Sequence, residues 1–241
     1  MLYLKGVNVD FSAAFQNIQG SVVNVLALDA QNNVLSSGSG TVIGIGDLVL
    51  TCAHCIIPNT RIVARFSDQN NGQIGNVVFI DQQVDVALIQ FLNNLGPPAP
   101  IRTSSSVLVG HDVFAVGFPN NISQITTLSG NVAGFEPTQN FSYIRIDASV
   151  NHGNSGGPLF NSTGELVGVV NAKHGSLSNF LQQVQNARPG ASMSIGGINP
   201  VQVIQQLIGE MRKNLNLGIG YAIPIDYIGS LYALVGNAIQ S

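Results

Sequence analysis

Charge is scarce in this chain. Asp, Glu, Lys and Arg make up 9% of 241 residues, and the formal net charge is −3. Such a surface gives no reason to expect a nucleic acid or an anionic membrane as partner. The hydrophobic content of 45% excludes a disordered composition and is enough for a real core. Long apolar runs are also missing, and none reaches the roughly 18 residues of a membrane span. The opening "MLYLKGVNVD" lacks the charged segment and long apolar stretch of a signal peptide. The low charge and the Asn, Gln and Ser content favour an exported protein whose leader is absent, whereas a native Met1 would place it in the cytosol.

Cysteine is nearly absent. Cys52 and Cys55 stand in "TCAHC". A C-x-x-C can be a redox pair or half of a zinc site. A structural zinc site needs four ligands, and the chain has no second pair to supply them. The plainer reading is two small buried thiols near a strand end, with neither metal nor cofactor expected. Helical periodicity does not alternate with the strand-like runs, which argues against a βαβ sheet. No repeat of 20–50 residues is present.

What the chain does have is short β-rich runs separated by turn residues. A segment from about Phe11 to Gln19 has helical spacing. Six strand-like runs then follow, from "SVVNVLALD" to "VDVALIQF". The stretch "NNLGPPAP", Asn93 to Pro100, cannot continue a central strand and reads as a linker. A second set runs from "DVFAVGF" through "ITTLSGNVAGF", "SYIRID", "PLF" and "ELVGVV" to "GIGYAIPI". Two such sets predict two β-barrels in tandem. Between the last two runs lies "NPVQVIQQLIGEMRKNL". Here Val201, Ile204, Ile208, Met211 and Leu215 recur at helical steps, Asn199 can cap and Pro200 suits the first helical position. A final helix is predicted over 226–239.

The stretch "NHGNSGGPLF" carries a serine between glycines. Gly153 to Gly157 satisfies the G-x-S-x-G pattern of a nucleophile elbow. That arrangement needs an acid and then a histidine after the serine, on a strand-turn-helix. Ser155 is followed by a strand, a turn and a strand, with only Glu165 and His174 behind it. The other order fits better. His54 follows the apolar run "LVLT", Asp85 opens "VDVALIQF", and Ser155 comes in the second set. A hydroxyl is a weak nucleophile and needs a base, and the base needs an acid to fix its tautomer. Taken singly, each residue is ordinary: a histidine after a strand, an aspartate at a strand end, a glycine-rich turn. Asp81 is a nearby rival for the acid. His111, His152 and His174 have no matching context, although His152 is near enough to Ser155 to line a cleft.

Together, "TCAHC", "DVALI", "GNSGGPL" and "GIGYAIPID" resemble the trypsin-like serine peptidases, and within them the HtrA/Deg protease domain. The resemblance covers about Phe11 to Asn171 and Gly218 onward. It implies an all-β fold of two tandem six-stranded Greek-key β-barrels with a helical insertion and a C-terminal helix. The implied layout is an N-terminal lobe and barrel over 1–95, a linker over 96–107 and a second barrel over 108–241, with the insertion at 173–217. His54 would be the general base, Asp85 its orienting acid and Ser155 the nucleophile. The N–H groups of Gly153 and Ser155 would form an oxyanion hole, and Ser149, Val150 and Asn171 would line the substrate cleft. Ser149 and Val150 point to small or medium aliphatic side chains at P1.

Departures from the pattern carry their own expectations. Trypsin relatives have an aspartate where this chain has Asn154, so activation through an ion pair to a trimmed N-terminus is not expected. No sequence remains for the PDZ domain that usually follows an HtrA protease domain. The implied partner is a polypeptide substrate, with a homo-oligomer possible through the N-terminal segment or the insertion. A binding module on an unused protease scaffold and an esterase-like acyl hydrolase are the competing functions.

Overall fold

The structure is a computed structural model that describes residues 10–67, 69, 71–119, 122–172, 204–205, 218–233 and 235–236. A short helix, α1 (Ser12–Ile18), leads into β1 (Val22–Leu28), β2 (Val34–Ile43), β3 (Leu48–Thr51), β4 (Arg61–Arg65), β5 (Gln73–Asp81) and β6 (Val86–Phe91). These close antiparallel into a first barrel in the order β1-β2-β3-β6-β5-β4. The second barrel uses β7 (Asp112–Gly117), β8 (Thr126–Pro137), β9 (Ser142–Ile146), β10 (Pro158–Asn161), β11 (Leu166–Val170) and β12 (Gly220–Pro224). Its order is β10-β11-β12-β9-β8-β7. Helix α2 (Ile225–Leu231) follows β12. The two predicted barrels are therefore present. Among the described residues, no helix is long and apolar enough to cross a membrane.

Several strands are apolar on both faces because each borders two cores. In β3 and β6, Val49, Ile89 and Phe91 fill the first barrel, while Leu50, Val86 and Leu88 face a cluster shared between the barrels. In β7, Val113 and Ala115 fill the second barrel, and Phe114 and Val116 join the shared cluster. Burial on both sides explains runs such as "LVLT", which lack the alternation of a half-exposed strand. Phe114 is fully buried and packs on Phe11 at 4.8 Å and Phe160 at 5.4 Å between ring centroids. Truncating such a ring to alanine costs about 3–5 kcal/mol.

The predicted N-terminal helix is present as α1, trimmed by a residue at each end. Of the C-terminal helix expected over 226–239, residues 226–231 are helical. The helix is interrupted after Leu231, where Tyr232 turns extended at φ −138°. The Tyr232 ring packs on Phe79 of β5 at 5.4 Å, so a tertiary contact overrides the helical periodicity. Residues 233, 235 and 236 are helical again, and 237–239 lie outside the described residues. In the insertion, Ile204 and Gln205 are helical, and the rest of the helix expected from Pro200 to Leu215 lies outside the described residues, as does His174.

Candidate active site

The sequence after β3 turns sharply through a 3-10 turn, Ala53–Cys55, closed by the Cys55 N–H donating to the Cys52 carbonyl at 3.1 Å. This turn carries His54 to the edge of the first barrel, where its side chain stays 26% exposed. Asp85 precedes β6 with φ +66°. Aspartate tolerates the left-handed region better than most residues with a Cβ. The carboxylate then meets His54 twice: Oδ1 accepts from the backbone N–H at 2.9 Å, and Oδ2 lies 2.6 Å from Nδ1 of the ring. Oδ2 also accepts from the side-chain amide of Asn171 at 3.1 Å, a contact from the second barrel. Two contacts from one residue fix both the orientation of the ring and the nitrogen that carries its proton. The rival carboxylate does something else. Asp81 accepts from the N–H groups of Gln83 and Val84 at 2.8 and 3.0 Å, capping the turn before Asp85.

Ser155 sits in the loop between β9 and β10 and is buried. Gly153 and Gly156 both have positive φ, +92° and +83°. These values hold the loop in a shape that residues with a Cβ resist. Among the described residues, the N–H groups of Gly153 and Ser155 have no hydrogen-bond acceptor, although both residues are buried. Buried N–H groups are rarely left so, and two in one loop leave room for an anionic oxygen. The Oγ of Ser155 accepts from the Ala172 N–H at 3.2 Å and makes no hydrogen bond with His54. Catalytic hydrogen bonds are often long in a ligand-free site and tighten with substrate.

The first barrel grips this loop. The Ser39 hydroxyl donates to the Gly153 carbonyl at 2.6 Å and accepts from the Phe118 N–H at 2.9 Å. The Ser39 N–H donates to the Ser155 carbonyl at 2.8 Å. The Thr51 hydroxyl donates to the Ser39 carbonyl at 2.7 Å. The thiols add weaker links. Cys52 donates to the Val170 carbonyl at 3.3 Å, and Cys55 points to the Ser155 carbonyl at 3.6 Å. Burial pushes the Cys55 thiol up to about 12, so it stays protonated. Both cysteines are free and buried. Sequence reasoning missed Ser39 and Thr51. The signal available was the run "SGSG" in a strand, which marks a place where another backbone comes close.

The remaining expected residues divide. Val150 is buried, and Ser149 is exposed. A Cβ on Gly220 would stand 2.9 Å from Val150 Cγ2, so β12 lies against Val150. Asn171 turns its amide to Asp85. His152 is exposed, and His111 accepts from the Leu108 N–H at 3.2 Å, a local turn contact. Asn154 is buried beside Ser155, and neither its Oδ1 nor its Nδ2 has a hydrogen-bond partner among the described residues. Among the described residues, one group of side chains has metal-ligating chemistry: the donor atoms of Cys52, His54 and Asp85 all lie within 4.8 Å of one another.

Two six-stranded barrels with His54 and Asp85 on one and Ser155 on the other define the architecture of a double-barrel peptidase domain. Residues 38–169 match the model of the trypsin-like peptidase domain, and the chain belongs to that family. It is similar to a probable periplasmic serine endoprotease DegP-like from Pseudomonas putida (strain W619). The two are 29% identical over 196 residues, which is 80% of this chain and 38% of the relative. It is also similar to the serine endoprotease DegS of Escherichia coli (strain K12), at 30% identity over 174 residues, 66% of this chain and 48% of DegS. The chain thus spans less than half the length of these relatives. A solved HtrA-type protease with a tripeptide superposes with a TM-score of 0.68 at 20% identity, covering 96% of this chain and 64% of that one. That likeness is one of fold.

Proposed function

We propose that this chain is a serine endopeptidase in which Ser155 is the nucleophile, His54 the general base and Asp85 the acid that orients it. The observation that carries the reading is the double contact of Asp85 with His54, through both the ring and the backbone. With its proton held on Nδ1, His54 presents a basic Nε2. That nitrogen takes the proton of the Ser155 hydroxyl as Oγ attacks the scissile carbonyl. The ring becomes an imidazolium beside a carboxylate, which stabilises it. The oxyanion accepts from the N–H groups of Gly153 and Ser155. The imidazolium then protonates the leaving amine, and water attacks the acyl-enzyme by the same route in reverse.

The substrate pocket is built on Ser149, Val150 and Asn171. No charge stands at Ser149 or Val150 to pair with Lys or Arg, so cleavage after small or medium aliphatic side chains is the proposed preference. A fluorophosphonate probe tests the nucleophile: it should label the wild-type protein once and Ser155→Ala not at all. Labelling that persists in Ser155→Ala would remove Ser155 from the role. Profiling with a peptide library tests the pocket, and a dominant Lys or Arg at P1 would exclude it.

A further inference from the structure

We propose that Cys52, His54 and Asp85 form a reversible binding site for a divalent zinc ion, and that the ion switches the active site off. The thiol, the imidazole Nδ1 and the carboxylate are a donor set that Zn2+ takes readily, with a solvent molecule completing the fourth position. Their donor atoms already lie within 4.8 Å of one another. Tetrahedral zinc with these ligands needs donor separations of about 3.4–3.6 Å. The pair at 2.6 Å, Nδ1 and Oδ2, must open, and the thiol must turn from the Val170 carbonyl. On that geometry the pair opens by about 0.8 Å and the thiol closes by up to about 1.3 Å.

All three ligands come from the first barrel. Cys52 and His54 flank Ala53 in one 3-10 turn, and Asp85 is bonded to that turn through the His54 N–H. The scaffold is therefore rigid before an ion arrives, and it does not depend on Ser155. Cys52 is fully buried, whereas the side chains of His54 and Asp85 are 26% and 13% exposed. An ion enters from the histidine side.

The chemical consequence follows from the tautomer. In the metal-free pair the neutral imidazole carries its proton on Nδ1, leaving Nε2 free to accept. Zinc bound at Nδ1 forces that proton to Nε2, and the thiol proton leaves to solvent as the thiolate forms. An Nε2 that already carries a proton cannot take one from Ser155. One proton is released per ion bound, so binding tightens as pH rises. The inhibitory effect rests on the peptidase reading above, whereas the binding itself does not.

The test uses the full chain carrying Ser155→Ala, titrated with Co2+ as a spectroscopic probe for zinc. A thiolate-to-cobalt charge-transfer band should saturate at one ion per chain and be displaced by Zn2+. The band should vanish on adding Cys52→Ala or Cys52→Ser, and persist with Cys55→Ala, whose thiol lies outside the cluster. In the active protein Zn2+ should inhibit and EDTA should restore the rate. Half-inhibition should need at least tenfold more Zn2+ in Cys52→Ala, each variant being compared with its own metal-free rate. Absence of the band, its survival in both Cys52 variants, or equal zinc sensitivity of Cys52→Ala would overturn the site. If the wild-type chain cleaves nothing, the cobalt titration still decides whether the ion binds.

Discussion

Ser39, on a strand of the first barrel, donates its hydroxyl to the carbonyl of Gly153 in the second, at 2.6 Å, and its own N–H to the carbonyl of Ser155 at 2.8 Å. The two carbonyls flank the peptide units whose N–H groups would meet an oxyanion. A residue outside the proposed triad thus sets the direction in which that loop faces.

Ser39→Ala should leave the Gly153 carbonyl and the Phe118 N–H without their partner in a buried place. The stability loss should be about 1–3 kcal/mol, read from urea unfolding. With the loop as the proposed source of oxyanion donors, kcat should fall more than KM rises. A variant with wild-type kinetics would show that the loop holds its direction without Ser39.

Asp85→Asn replaces a carboxylate that accepts two bonds from His54 with an amide that donates from one end. If its oxygen keeps the His54 N–H, its NH2 faces Nδ1 and favours the tautomer with the proton on Nε2. The kcat should drop about 10⁴-fold while melting shifts little. Steady-state kinetics on a peptide substrate measures it, and a loss of less than tenfold would deny Asp85 the orienting role.

Two glycines give an internal control. A Cβ at Gly156, where φ is +83°, would overlap Thr51 Oγ1 and the Ser39 carbonyl oxygen and stand 2.8 Å from the Cys52 nitrogen. At Gly110, φ is +89° and nothing lies within 4 Å of the added carbon. Gly110→Ala should cost only the backbone strain, about 1–2 kcal/mol. Gly156→Ala should cost clearly more and abolish probe labelling, since backbone atoms cannot move aside. Equal losses in thermal unfolding would contradict the close approach of the barrels.

Alkaline pH tests the buried thiol. The Cys55 thiol ionises near 12 in the folded protein against 9.0 ordinarily, with burial as the main cause. Between these values the unfolded chain gives up a proton that the folded chain keeps. Stability is therefore full below about pH 9 and falls as pH rises, by up to about 1.4 kcal/mol per unit. Urea unfolding at pH 8 and pH 10 should show the drop, and Cys55→Ala should flatten it relative to wild type. Tyr143 and Tyr221 are also shifted up, chiefly by burial, so some slope remains.

The strands were legible in the chain because turn residues separate them and their β-branched runs are short. "LVLT" and "VDVALIQF" needed no more than that. The end of α2 was not legible. Apolar spacing continues past Leu231, and the break falls where the Tyr232 ring packs on Phe79. At the site, the order of His54, Asp85 and Ser155 could be read from the motifs. The hold of Ser39 and Thr51 on the loop that carries Ser155 could not, because a small polar residue in a strand looks the same whether it meets water or a buried carbonyl. Nor could the left-handed backbone at Asp85, which only the folded chain imposes.

The strand order of the second barrel has a consequence for synthesis. β12 pairs with β11 on one side and β9 on the other, yet it comes after every other described strand. A growing polypeptide has His54, Asp85 and Ser155 outside the ribosome well before Gly220 to Pro224 emerge. Until they do, the loop that carries Ser155 hangs from an open sheet, and the first barrel has no closed partner to grip. Closure of the second barrel, and with it the seat of the Ser155 loop, therefore waits on residues 220–224.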